Sequence, residues 1–440
     1  MVTPSAHPRP EPSDELPPAP DGCPVRGAGR APEDPADRLL ADPFTAYAAL
    51  RATAPVHRIT GPDGTPAWLV TRYEDVRSGL ADPRLSLDKK NALPGGYHGF
   101  RLPPALDANL LNMDPPDHTR IRRLVARAFT PRRIERLREP VRRAAHALVD
   151  GFGSTGRVDL VTAYAGPLPV TVIGDLLGVP EGDRRDFRSW TATLLGPERP
   201  DPVAAKETVG AMLRFYTGLV ADKRRAPGDD LLSDLVAVRD ETAEPSPSGS
   251  SGPSGSAADG RLTEDELVSL AFLIHFAGYE NAVHLIGNAA LALLTHPEAR
   301  AELRADPARW PAAVDELTRF DTPALLAFRR FPTEDVRIAG VTVGAGETVF
   351  LCLASANRDP ERFPDADRLD LSRDASGQLA LGHGIHYCLG ASLARLEAEV
   401  ALAVLLERLP GLALDGGPTA SPPRRRTLRN RGLRELPVRF

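Results

Sequence analysis

A cysteine set among glycines, Cys388, carries the clearest chemical signal in this 440-residue chain. It lies in the run LALGHGIHYCLGASLAR at 379–395, with Gly382, Gly384 and Gly390 around it. Glycine has no Cβ, so a backbone built on it can turn tightly and pass close to something flat and bulky. Leu393, Ala394, Leu396, Val400, Ala401 and Leu402 recur at helical spacing and predict a helix over 389–408. A helix N-terminus offers unpaired N–H groups and partial positive charge, both of which favour thiolate over thiol. A thiolate held there is a nucleophile or a metal ligand, and the glycines favour a large planar metal cofactor. Plainer readings exist. A buried cysteine beside a helix is ordinarily a small hydrophobe. His383, His386 and Cys388 have zinc-ligand chemistry, but a closed site needs a fourth ligand and no second Cys/His cluster is visible.

A second polar group sits inside an apolar stretch. Thr263-Glu264-Asp265-Glu266 reads as a capping box, and the helical pattern it opens runs to about Thr295, before Pro297. Its length of about 48 Å would cross the whole molecule. Ala277-Gly278-Tyr279-Glu280-Asn281 falls at its centre. Glycine in mid-helix costs about 1 kcal/mol relative to alanine, and a buried carboxylate is costly too. Both make sense where a ligand approaches the backbone at Gly278 and protons must be delivered. The bland alternative makes Glu280 a salt-bridged helix residue.

Three further sites suit anions or buried charge. His118 and Arg122, four apart on a helix for which Asp117 is the expected cap, share a face and can grip one anion. Arg329 and Arg330, adjacent in the chain, each offer a guanidinium fork suited to a carboxylate. Glu316 and Arg319 share a helix face; alone, such a pair is commonly a surface pair of little worth.

These segments resemble the cytochrome P450 superfamily, whose haem loop reads Phe-Gly-x-Gly-x-His/Arg-x-Cys-x-Gly and here reads from Leu381 and Gly382 through His386 and Cys388 to Gly390. The resemblance implies a mainly α (α+β) fold, one large helical domain with small β-sheets and a long helix over haem. It implies haem b (iron protoporphyrin IX), with Cys388 the axial ligand and His386, His118, Arg122 and Arg330 reaching the propionates. Ala277 and Gly278 would lie against the haem face, with Glu280 in a proton relay and Asn281 where the family has threonine. Leu381 replaces the family's aromatic residue, which bears on redox potential rather than ligation. Arg362 would complete a buried network with Glu316 and Arg319.

By the same resemblance, the chain is similar to soluble actinobacterial enzymes that tailor polyketides, the run Phe276 to Pro297 pointing to macrolide-like substrates. The expected reaction is hydroxylation with O₂, the thiolate's electron donation favouring O–O cleavage. Other haem-thiolate reactions (epoxidation, oxidative coupling, peroxide-driven oxidation) and a non-catalytic haem-binding role stand as alternatives. No Gly-x-Gly-x-x-Gly fingerprint or flavin module is seen, so a ferredoxin and ferredoxin reductase are the implied donors.

The elements that must hold these residues read mainly as helices, over 43–54, 117–127, 132–152, 202–224, 263–295, 297–305, 309–320 and 389–408. Short β-like runs occur at 66–71, 335–343, 347–353 and 432–440. Residues 1–36, rich in proline and charge, read as a disordered tail before one domain at 37–440, and 242–259 as a flexible loop within it. A net charge of −5 argues against general nucleic-acid binding. Ten arginines at 120–143 read as a solvated helix face or as a docking surface for an acidic ferredoxin. Three cysteines fit a reducing compartment, and Cys352, in an apolar run, reads as core. With no signal peptide or membrane span seen, the expectation is a cytoplasmic monomer acting on a small molecule.

Overall fold

The computed structural model describes residues 35–61, 63–98, 102–127, 129–195, 201–240 and 261–440. The expected tail (apart from Pro35 and Ala36, which open a helix at Pro35–Ala41) and the 242–259 loop lie outside them.

The central helix, Glu264–Thr295, starts where its capping box predicts: the Thr263 hydroxyl accepts from the Glu266 N–H at 3.1 Å, and a Glu266 carboxylate oxygen accepts from the Thr263 N–H at 2.8 Å. Past its first turn it is apolar on nearly every side, the pattern of a helix with protein all round it. Against it pack Pro167–Leu177, Pro202–Arg225, Trp310–Phe320 and Ala391–Arg408. Their apolar side chains form the main core.

Pro167–Leu177, Tyr73–Ala81, Arg184–Leu195 and Leu231–Asp240 are helices that the apolar pattern does not announce. For Pro167–Leu177 the reason is burial: Leu168, Val170, Val172, Ile173, Leu176 and Leu177 are all in the core, so no polar face marks a period. The expected 132–152 helix divides at Leu137 into Pro131–Arg136 and Arg138–Asp150. The Leu137 N–H donates to the Ile134 carbonyl at 2.9 Å, three residues back, which tightens the turn there.

The sheets are small. Pro66–Val70 pairs antiparallel with Val56–Thr60 and parallel with Val349–Leu351, Trp68 opposite Val349. Pro437–Arg439 lies between Arg157–Asp159 and Ala413–Leu414. Leu85–Ser86 pairs with Phe331–Pro332 and so brings the Arg330 segment beside Leu85. Cys352 is fully buried, its thiol pushed up to about 12 by burial, as a core role requires.

Candidate active site

The cysteine loop is a tight backbone structure. The Cys388 N–H donates to the Leu381 carbonyl at 2.9 Å and closes residues 381–388 into a loop. Gly382 (φ 77°) and Gly384 (φ 72°) occupy the left-handed region, and a Cβ at Gly384 would meet the Leu80 carbonyl at 2.9 Å. Gly390 has φ −86°, is the residue before the Ala391–Arg408 helix, and a Cβ there would meet no protein atom within 4 Å. Burial pushes the Cys388 thiol up, opposed by the Gly390 N–H and by Arg122 and Arg395. The helix terminus therefore does not offset burial at the sulfur by itself.

His118 is 1% exposed, and neither ring nitrogen has a hydrogen-bond partner. Its ring centroid lies 4.3 Å from that of His386, whose Nε2 is likewise buried without a partner. Arg330 is 4% exposed, spends one N–H on the Leu85 carbonyl at 3.3 Å, and leaves Nε unused. Burial, then the neighbouring arginines, hold His118 at about 4; burial, then Arg330, hold His386 at about 3; burial alone lowers Arg330 to about 10. Buried donors without acceptors are costly. This cluster calls for an anion with several oxygens, and two haem propionates fit it. Arg122 adds its charge but donates to the Tyr387 carbonyl at 2.6 Å. Arg329 is occupied by Asp63 at 2.5 Å, which leaves Arg330 as the inward fork. Asp117 opens its helix as the first residue, paired with Arg120 at 3.5 Å, and caps nothing.

On the central helix only Asp265, in the first turn, and Ala277 and Asn281 are exposed. Ala277 and Asn281 are one turn apart and share a face, so an otherwise buried helix opens to a ligand there. Gly278 has a packing reason: a Cβ would meet Ile173 Cδ1 at 2.9 Å. Glu280 is buried and turned toward the C-terminal segment. Its carboxylate accepts from Asn430 Nδ2 at 2.9 Å and Arg429 at 3.4 Å, with His284 at 3.6 Å. Burial pushes its pKa up, and His284, Arg429 and Arg425 more than offset that, leaving the carboxyl below the usual carboxylate range. In the segment leading to Arg330, Leu325 is core and Phe328 is 52% exposed.

The buried charge network contains a residue the sequence reading missed. Arg319 grips Glu316 through two bonds of 2.7 and 2.8 Å, both residues fully buried. The third member is Arg373, 3.3 Å from Glu316, and not Arg362, which donates to the Ser376 carbonyl and lies over Phe363. Arg373 comes near Glu316 only because the intervening chain folds back, and no spacing rule signals that. Arg319 also donates to the Asn357 carbonyl at 2.8 Å, and Asn357 Oδ1 accepts from the Leu379 N–H at 2.7 Å. The network thereby holds the start of the cysteine loop. No group of three or more His, Cys, Asp or Glu suited to a metal occurs among the described residues, which leaves the zinc reading without support.

A family model described as cytochrome P450 matches residues 310–420, which hold the Glu316 network and the cysteine loop. The cytochrome P450 monooxygenase PikC of Streptomyces venezuelae is 44% identical over 407 residues, covering 91% of this chain and 92% of that one. This chain belongs to the cytochrome P450 family. The 6-deoxyerythronolide B hydroxylase of Saccharopolyspora erythraea is 42% identical over 93% of this P450. The tirandamycin C-bound P450 monooxygenase TamI superposes with a TM-score of 0.79, at 42% identity over 92% of this chain and 98% of that one. The expected fold is the observed one, the cofactor is haem and the enzyme is a monooxygenase with a small-molecule substrate. Among the described residues no helix is long and apolar enough to cross a membrane.

Proposed function

We propose that this P450 hydroxylates a macrolide- or polyketide-like secondary metabolite, using O₂ and electrons from a ferredoxin and its reductase. The observation that carries it is the exposed Ala277–Asn281 turn in a helix otherwise buried, in a chain that also holds the Cys388 loop. The substrate class rests on relatives named for such compounds, among them a mycinamicin IV hydroxylase/epoxidase of Micromonospora griseorubida, 41% identical.

Haem b, ligated by Cys388, would supply oxygen activation and electron transfer. His118, His386, Arg122 and Arg330 would hold its propionates, with Leu381, Gly382 and Gly390 in the supporting loop. Ala277 leaves room beside the helix, and Phe328 offers an apolar wall. Asn281 presents an amide N–H on the exposed face, which can hold an ordered water or a substrate hydroxyl as proton donor. Glu280, ionised and engaged by Asn430, would relay a proton to that donor only after taking one up from solvent as its side chain turns.

Arg123, Arg127, Arg132, Arg136 and Arg143 are exposed with no ion pair among the described residues, and this supports docking of an acidic ferredoxin. Arg120, Arg133, Arg138 and Arg142 are already paired with carboxylates. A cytoplasmic location is the reading that fits a chain with few cysteines, and a monomer is the default state.

The test is a titration of the haem-loaded enzyme with 6-deoxyerythronolide B, mycinamicin IV and vitamin D(3), reading the low- to high-spin shift. Saturable shifts with the macrolides, followed by a hydroxylated product on supplying ferredoxin, reductase and NADPH, are expected. A shift with vitamin D(3) alone overturns the substrate class.

A further inference from the structure

Tyr387, directly before Cys388, is gripped at both ends. Arg122 donates to its carbonyl at 2.6 Å, and Arg395 Nη1 donates to its hydroxyl at 3.0 Å. Arg395 stands in the second turn of Ala391–Arg408, and its Nε donates at 2.7 Å to Asp315 on the Trp310–Phe320 helix. At 35% and 28% side-chain exposure, the Arg395–Asp315 pair is only partly screened by water. Arg122 and Arg395 are thus two cations that both hold the residue directly before the Cys388 sulfur.

An ion pair serving only to tie two helices needs no third partner. Here the third partner is the residue that precedes the sulfur, so the position of Arg395 and the position of the cysteine loop are fixed together. Asp315 withdraws part of the cation's field from the sulfur, because opposite charges a few ångströms apart cancel at a distance.

We propose that Asp315, Arg395 and Tyr387 set the electron affinity of the Cys388-ligated iron, with Arg395 a positioned cation and Asp315 its partial counter-charge. This rests on the haem-thiolate reading. The step concerned is addition of one electron from an external donor, with no bond made or broken, and a nearby positive charge favours the more negative product.

The test is a spectroelectrochemical titration of haem-loaded wild type, Arg395→Gln, Asp315→Asn and Tyr387→Phe, with thermal midpoints measured in parallel. Arg395→Gln is expected to shift the midpoint potential downward and Asp315→Asn upward, while both lower the thermal midpoint. Tyr387→Phe keeps the charge but loses its tether, and is expected to shift the potential downward by less than Arg395→Gln. Opposite signs in potential with the same sign in stability are what a purely structural ion pair cannot produce. Unchanged potentials, or Arg395→Gln and Asp315→Asn moving together, overturn the proposal. Should Arg395→Gln fail to load haem, the absence of an upward shift in Asp315→Asn overturns it by itself. If wild type lacks the thiolate-type spectrum of the reduced carbon monoxide complex, it is the haem-thiolate reading that has failed.

Discussion

Asn281 and Glu280 are sequence neighbours with different surroundings. Asn281 lies on the exposed face of the central helix, whereas the Glu280 carboxylate is buried against Asn430 and Arg429. Replacing Asn281 with alanine is expected to lower the yield of product per NADPH consumed while leaving haem content intact. An unchanged ratio, measured by product and cofactor assay, would assign proton delivery to water or substrate alone. Glu397 makes a separate prediction. It is 3% exposed, one carboxyl oxygen has no partner, and burial raises it from 4.5 to about 8. Between those values the folded state holds a proton that the unfolded chain has released, so stability falls as pH rises. The contribution is full below about pH 4.5, where both states are protonated, and is lost by about pH 8, amounting to at most about 5 kcal/mol. Glu397→Gln should flatten that fall in denaturant titrations over this range. An identical pH slope in the variant counts against the buried carboxyl as its source.

The elements are tied to the cysteine loop through buried charge. Arg319 serves Glu316 and three backbone carbonyls at once, so Arg319→Ala strands a fully buried carboxylate and should cost about 3–5 kcal/mol. Arg373→Ala is expected to destabilise and to reduce haem loading, because it also leaves Glu316 short of a partner. Arg362→Ala should stay within about 1 kcal/mol, as its guanidinium meets one carbonyl at a partly exposed site. Equal losses from the two would return Arg362 to the network. At the start of the central helix, Thr263→Ala removes one half of the capping box and should cost about 1 kcal/mol by thermal or chemical unfolding.

At the scale of the whole molecule, a net charge of −5 coexists with a run of exposed arginines that have no ion pair among the described residues. The unpaired arginines between Arg123 and Arg143 lie on the helices that precede and follow Thr130, whereas their paired neighbours point at carboxylates of other elements. Reduction by an acidic ferredoxin should therefore slow as ionic strength rises, since screening shortens the reach of exposed charges to about 10 Å at 0.1 M salt. Stopped-flow reduction rates that ignore salt would rule out docking by complementary charge. Arg127→Glu with Arg132→Glu should slow the rate several-fold more than neutralising the already paired Arg142.

Local chemistry was legible in the chain wherever one segment holds all the parts. The capping box at Thr263, the 32-residue central helix, the glycine-framed cysteine and the Glu316–Arg319 pair all act over a few residues, and short-range periodicity and turn chemistry dictate them. Fold class followed from the number of such helices. Folding alone decided which distant groups meet. Arg373 rather than Arg362 reaches Glu316, Asn430 captures Glu280 across 150 positions, and Arg395 meets Tyr387 and Asp315 together. The physical reason is that a charge or hydrogen-bond donor carries no mark of its partner in the sequence. Its partner is set by how buried helices stack, and that packing is a property of the whole core.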